Sequence, residues 1–154
     1  MTISIDNIEF LQKTALFRGS SKEELELILG LFQERRIKAN STIFTENMPA
    51  ESLSIIKNGT VRITMMAGES QEQGLLLLGP GEFFGELALV QESKRLVTAR
   101  AETPVDLLIL TRKDFLAAID LEPRTAARVL MIISKLLAMR VKTYSDRLKE
   151  LLVS

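Results

Sequence analysis

Gly79-Pro80-Gly81-Glu82-Phe83-Phe84-Gly85-Glu86-Leu87-Ala88-Leu89, followed closely by Arg95-Leu96-Val97-Thr98-Ala99-Arg100-Ala101, is the stretch on which the reading of this chain turns. Gly79-Pro80-Gly81 is a turn signal. Gly85 then opens a short turn of helix, Glu86 to Leu89. The free N–H groups at such a helix start form an anion site, and a glycine lets the anion come close. Arg95 follows Glu86 by nine residues. It is long enough to reach back over the turn and clamp an anionic oxygen from the other side. Glu86 supplies an acceptor for a hydroxyl beside the anion, as a sugar would present. Donors for a phosphate and an acceptor for a ribose, within one segment, make a coherent pocket for an anionic nucleotide-like ligand.

The pattern on either side says what carries that segment. Short β-rich runs appear at Arg35–Ala39, Thr42–Thr45, Leu53–Lys57, Thr60–Met65, Gly74–Leu78, Val97–Ala101 and Val105–Leu110. Turn signals separate them at Ala39-Asn40-Ser41, Asn47-Met48-Pro49, Asn58-Gly59, Ala67-Gly68 and Gly79-Pro80-Gly81. Asn58-Gly59 favours the type I′ turn that joins adjacent antiparallel strands. Strands this short and this evenly spaced predict a sandwich or barrel rather than a parallel sheet.

Helical periodicity brackets the strands. Ile5, Ile8, Leu11, Leu16 and Phe17 predict a first helix ending at Arg18-Gly19-Ser20. Ser21 stands three residues before Glu24 in a capping-box arrangement and starts a second helix carrying Leu25, Leu27, Ile28, Leu31 and Phe32. Arg112–Asp120 reads as a short helix. Pro123 opens a long one towards Leu152, proline being tolerated at that first position. Leu130, Ile133, Leu137, Val141, Tyr144, Leu148 and Leu151 form its continuous apolar stripe. The first half can pack on the barrel, while the second half projects past it or folds back. An exposed stripe of this kind pairs with another helix, so a homodimer through the C-terminal helix is expected. The chain reads as one domain, 1–154: N-terminal helices over 1–34, a β-barrel over 35–111 with the ligand segment at 84–101, and C-terminal helices over 112–154.

Composition narrows the chemistry. The chain has 154 residues, 46% of them hydrophobic, and a net charge of zero, so the whole molecule offers no case for a polyanionic partner. Seven Lys/Arg against two Asp/Glu after Pro123 read as the solvated side of the long helix. There is no cysteine and no histidine. That removes thiolate chemistry, the usual general base and the commonest metal ligand, and no paired-carboxylate motif replaces them. Catalysis and a metal cofactor are not expected. The first residues lack a signal-peptide pattern, and the apolar run from Val129 to Val141 is broken by Ser134, Lys135 and Arg140. A cytoplasmic, membrane-free protein is expected.

Phe84 to Leu89, Arg95 at its spacing and the closing Arg100-Ala101 resemble the phosphate-binding cassette of the cyclic nucleotide-binding domain. Catabolite activator proteins, protein kinase A regulatory subunits and cyclic-nucleotide-gated channels share that family. The resemblance extends to the helical start, to Gly79-Pro80-Gly81 and to the long final helix. It implies an α+β, mainly β fold, a double-stranded, jelly-roll-like β-helix barrel. It implies cyclic AMP, or next cyclic GMP, as ligand. Glu86 would accept the ribose 2′-hydroxyl and Arg95 would pair with the cyclic phosphate. The backbone around Phe84, Gly85, Leu87 and Ala88, and at Leu96 and Val97, would donate to ligand oxygens. Tyr144 and Ser145 would cap the base, although Tyr144 equally suits a rung of a dimer seam.

Leu96 and Val97 depart from that family's pattern, which places Ala, Ser or Thr and then a small residue after the arginine. If both point inwards the pocket is tighter and less polar; if they turn into the barrel wall, little changes. Two functions follow. One is a cyclic nucleotide sensor that signals to a protein partner by moving its C-terminal helices. The other is a ligand-independent dimerisation module with Glu86 and Arg95 as a structural salt bridge. Direct DNA binding is not expected, because nothing here reads as a helix-turn-helix motif.

Overall fold

The computed structural model describes residues 7–67 and 71–153. Helix α1 (Ile8–Lys13) and helix α2 (Lys22–Ile28) precede a single 3-10 turn at Leu29–Leu31. α1 ends sooner than the apolar spacing predicts. The Thr14 hydroxyl donates to Leu11 O at 2.6 Å and Thr14 leaves the helix with extended backbone. Leu16 and Phe17 are buried all the same. The predicted Ile5 lies outside the described residues. The capping box forms: Ser21 Oγ accepts from the Glu24 N–H at 3.1 Å, and Glu24 Oε1 accepts from the Ser21 N–H at 3.2 Å.

The strands are β1 (Gln33–Ile37), β2 (Thr42–Phe44), β3 (Pro49–Ala50), β4 (Ser52–Asn58), β5 (Val61–Ala67), β6 (Gln71–Leu78), β7 (Phe83–Phe84), β8 (Ser93–Lys94), β9 (Thr98–Ala101) and β10 (Val105–Thr111). Helix α3 (Leu87–Val90) lies between β7 and β8. One antiparallel sheet has the order β1-β10-β4-β7, a second β2-β9-β5-β6, and β3 pairs with β8. Each predicted strand is present with ends shifted by three residues or fewer. β3, β7 and β8 have two residues each, too few to display a period.

Asn58-Gly59 does not make the predicted hairpin. Only Gly59 has a positive φ, 91°, whereas a type I′ turn needs it at both central residues. Both edges of β4 are already taken, by β10 and β7, so β5 leaves for the other sheet. The chain crosses there with Gly59 against the backbone of Pro104, where a Cβ would stand 2.2 Å from the carbonyl oxygen. The tight antiparallel pair is instead β5 with β6, in register from Val61↔Leu78 to Ala67↔Gln71. Gly68 of its predicted turn lies outside the described residues.

The near-continuous apolar runs of β4 and β10 have a physical reason, because their sheet is covered on both faces. Ile56, Leu107 and Ile109 pack with Phe44, Val61, Ile63, Phe84, Ala99 and Ala101 between the two sheets. Leu53, Ile55, Leu108 and Leu110 join Leu11, Leu25, Phe32, Phe115, Val129 and Ile133 under the helices. Helix α4 (Arg112–Leu121) is capped by Thr111, whose hydroxyl oxygen accepts from the Asp114 N–H at 3.1 Å. Helix α5 (Pro123–Val153) packs through Ala126, Val129, Ile133 and, less deeply, Leu130 and Leu137. Every position from 138 to 152 is exposed, so the second half of the stripe stands clear of the barrel core. Among the described residues no helix is long and apolar enough to cross a membrane.

A candidate anion-binding site

β7 delivers the chain to Gly85 at φ 81°. A Cβ there would stand 2.6 Å from Arg95 Nη1 and 2.9 Å from Ser52 O, so the position needs glycine for its backbone and for its space. Glu86 is the N-cap of α3, and Ala88 and Leu89 behind it are buried. Leu89 anchors α3 in the core beneath the helices. Within the turn the Ala88 N–H donates to Gly85 O at 3.2 Å and the Leu89 N–H to Glu86 O at 3.1 Å. The amides ahead of them are the ones the turn itself does not consume.

Arg95 is held from both sides of its peptide. Its N–H donates to Met48 O at 2.7 Å and its carbonyl accepts from the Asn47 N–H at 2.8 Å. The side chain runs inward and is only 9% exposed. Its guanidinium carbon lies 4.0 Å from the centroid of Phe44, and Nη2 donates to Ser52 Oγ at 3.3 Å. The buried Nε has no hydrogen-bond partner among the described residues. Burial pushes the guanidinium below its ordinary value, and the charge of Glu51 pulls the other way. A desolvated cation whose direct contacts are a ring and a hydroxyl is electrostatically unbalanced.

Glu86 does not balance it. Glu86 is 6% exposed, and its Oε1 accepts from Nη1 of Arg140 on α5. The structural salt bridge between Glu86 and Arg95 that the sequence allowed does not form. The two groups instead line a common cavity of 480 Å³.

Phe84, Gly85, Glu86, Leu87, Ala88, Arg95, Leu96, Val97 and Tyr144 all border that cavity. Ser145 does not; it is exposed one position further round α5. Leu96 and Val97 part company. Leu96 is 66% exposed on the rim, whereas Val97 leans on the barrel core. Several wall residues escaped the sequence reading: Phe44 beneath Arg95, Ile63, Met65 and Leu76 on the β5–β6 pair, and Arg140. Arg140 had a signal, since it stands four residues before Tyr144 and therefore on the same face of α5. Phe44 had none, because its role depends on how β2 lies against the cassette. The result is a cleft with a buried cation, a buried carboxylate and otherwise largely apolar walls.

The profile of the cyclic nucleotide-binding domain family matches residues 34–122. A cyclic AMP receptor protein of Thermus thermophilus is 35% identical over 125 residues, covering 81% of this chain and 58% of that one. The crystal structure of the catabolite activator protein of the same organism superposes with a TM-score of 0.77 at 36% identity, over 88% of this chain and 62% of the other. A cyclic nucleotide-binding domain from Methylobacillus flagellatus reaches a TM-score of 0.81 at 22% identity, over 96% of this chain and 85% of its own. These likenesses show the fold to be the expected mainly β, jelly-roll-like barrel with helices at both ends. The chain spans less than two thirds of the length of the curated relative.

Proposed function

The chain belongs to the cyclic nucleotide-binding domain family, and from that premise we propose that it is a non-catalytic receptor for a cyclic purine nucleotide, cyclic AMP before cyclic GMP. The family is one of regulatory ligand-binding domains, and its ligand is the nucleotide itself with no further cofactor. One observation carries the reading for this chain: Arg95 is buried against Gly85 with Nε unpartnered among the described residues. The cyclic phosphate supplies the missing negative charge, meeting Arg95 on one side and the amides at Gly85 to Leu87 on the other. Glu86 accepts the ribose 2′-hydroxyl. The base lies against the apolar wall with Tyr144 over it.

The signal follows from where Glu86 is tied. A ribose hydroxyl on Glu86 competes with Arg140 for the same carboxylate, so binding changes the hold of the cassette on α5. The exposed stripe Val141, Tyr144, Leu148 and Leu151 is then the surface whose presentation changes, and a second copy of the chain is its expected partner.

A thermal melt with cyclic AMP, cyclic GMP and cyclic dinucleotides, with linear AMP as control, tests the reading. A ligand at about 100 times its dissociation constant stabilises by about 2.7 kcal/mol. That raises the midpoint by roughly 2–4 °C per kcal/mol in a domain of this size. The expected result is a rise with a cyclic purine nucleotide that disappears in Arg95→Gln. Absence of any rise, with protein first freed of endogenous ligand by unfolding and refolding, refutes it. The exposed rim position of Leu96, with no hydroxyl to offer, then favours the ligand-independent dimerisation module.

A further inference from the structure

Methionine is at home in a core, where its flexible thioether fills irregular gaps. This chain uses it differently. It has six methionines and no cysteine. The five among the described residues, Met48, Met65, Met66, Met131 and Met139, are all at least 42% exposed, and none belongs to either apolar core. Sulfur oxidation in this chain therefore falls on methionine, and each of these five thioethers is open to an oxidant from solvent. Met65 alone of the five borders the ligand cavity. Its neighbour Met66 is exposed to nearly the same degree and does not.

Met65 stands in β5 two residues beyond Ile63, and both border the cavity together with Leu76 and Leu78 of the paired strand β6. None of these four side chains carries a hydrogen-bond donor. A nucleobase lying against them meets a soft, apolar thioether. Hydrogen peroxide changes that surface. Its O–O bond breaks, one oxygen bonds to the sulfur, and the other leaves as water with both hydrogens. The sulfur gives up two electrons, the peroxide takes them, and the product is a polar sulfoxide. Because Met65 is partly exposed, water solvates the new oxygen in the ligand-free protein, and the fold loses little. Under a bound base that water is expelled and the wall has no donor to replace it, a cost the thioether does not impose.

We propose that Met65 is an oxidation site within the nucleotide cavity, and that its conversion to the sulfoxide by a peroxide lowers affinity for the cyclic nucleotide without unfolding the chain. The proposal rests on the cyclic nucleotide reading above and adds a chemical modification of that same site. Bound ligand covers the sulfur in turn, so it slows oxidation at Met65 and leaves Met66 unaffected.

Three proteins are treated with hydrogen peroxide: the parent, Met65→Leu, and a fourfold variant with Met48→Leu, Met66→Leu, Met131→Leu and Met139→Leu. Peptide mass spectrometry reads oxidation at each methionine, calorimetry the affinity for cyclic AMP, and a thermal melt the ligand-free stability. Oxidation is expected to weaken binding by about fivefold or more in the parent and in the fourfold variant. The ligand-free midpoint is expected to stay within about 2 °C. Met65→Leu, whatever its starting affinity, is expected to show no change on oxidation. Methionine sulfoxide reductases of both stereospecificities are expected to restore the parent. The parent and Met65→Leu carry the test should the fourfold variant not fold. Parent protein oxidised at Met65 that binds as before overturns the proposal. So does an equal loss in Met65→Leu, a midpoint that collapses together with the affinity, or a Met65 that stays reduced while Met66 is oxidised. Untreated parent that gives no binding heat overturns the cyclic nucleotide reading itself, and the proposal with it.

Discussion

Arg140, on the long C-terminal helix, donates to the buried carboxylate of Glu86 at the mouth of the cassette, across 54 residues of chain. Glu86 is thus claimed from α5, while Arg95, its neighbour along the cavity wall, is left to a phenyl ring and a serine hydroxyl. The arrangement leaves the buried cation without a carboxylate hydrogen-bond partner among the described residues and commits the carboxylate to the helix.

If that pair holds the helix, its two halves are not independent. Arg140→Gln strands a buried carboxylate and is expected to destabilise the ligand-free protein by about 1–3 kcal/mol. In the double variant with Glu86→Gln, part of that loss should return. A double-mutant cycle by urea unfolding is expected to give a coupling of about 0.5–3 kcal/mol. Strict additivity would mean that the contact contributes nothing.

Gly85 is expected to resist replacement. Alanine would place its Cβ 2.6 Å from Arg95 Nη1 at a φ of 81°. Both effects disfavour it, by about 1–3 kcal/mol for the backbone alone. The midpoint should fall by several degrees, and ligand-induced stabilisation should vanish, since the arginine is displaced from the turn.

Leu96 should behave in the opposite way. It is 66% exposed, so Leu96→Ser is expected to change stability by no more than about 0.5 kcal/mol. The new hydroxyl lies on the cavity rim and offers a ligand oxygen one more donor, worth roughly 1 kcal/mol, or about fivefold in affinity for a cyclic nucleotide. Calorimetry of the two proteins side by side reads this directly, and equal affinities would place the leucine outside the ligand's reach.

Acid should loosen the contacts of Glu24 in the helical layer and of Asp106 in the barrel. Burial raises the pKa of Glu24, but the Ser21 N–H, the Thr125 hydroxyl and Arg128 outweigh it and hold the carboxyl below its ordinary value of about 4.5. A folded value below the unfolded one means stability that is complete above about pH 4.5 and lost as pH falls through the folded value. Asp106, held low by Asn58 and Arg36, acts with the same sign. The melting temperature should therefore fall as pH drops below about 4.5, and Thr125→Val with Arg128→Met should flatten that limb.

The outer half of α5 is expected to pair with a second copy. Leu148→Gln with Leu151→Gln should turn a concentration-dependent dimer into a monomer in sedimentation equilibrium without moving the barrel's far-ultraviolet signature. A parent protein that is monomeric at every concentration would deny the seam.

Much of this was readable in the chain itself, for local reasons. The Ser21 capping box, the strand runs and the helix opened by Pro123 are encoded within a few residues, and each appears close to where it is expected. Gly85 and Arg95 were legible because the turn and the arginine that reaches it lie in one continuous segment. The failures are also physical. The first helix stops at Lys13 because a threonine hydroxyl competes with the next helical bond. Asn58-Gly59 does not join a hairpin because the edges of β4 were already taken.

The sequence by itself thus determined the kinds of element, their order, and the cassette with its glycine and its arginine, since backbone propensity and periodicity act over a handful of residues. Only the tertiary structure decided that Arg140 and not Arg95 faces Glu86, that Tyr144 borders the cavity and Ser145 does not, and that Leu96 stays on the rim while Val97 turns to the wall. Each of those outcomes depends on where a helix or strand lies against a segment tens of residues away, and such placement is set by core packing rather than by any local pattern.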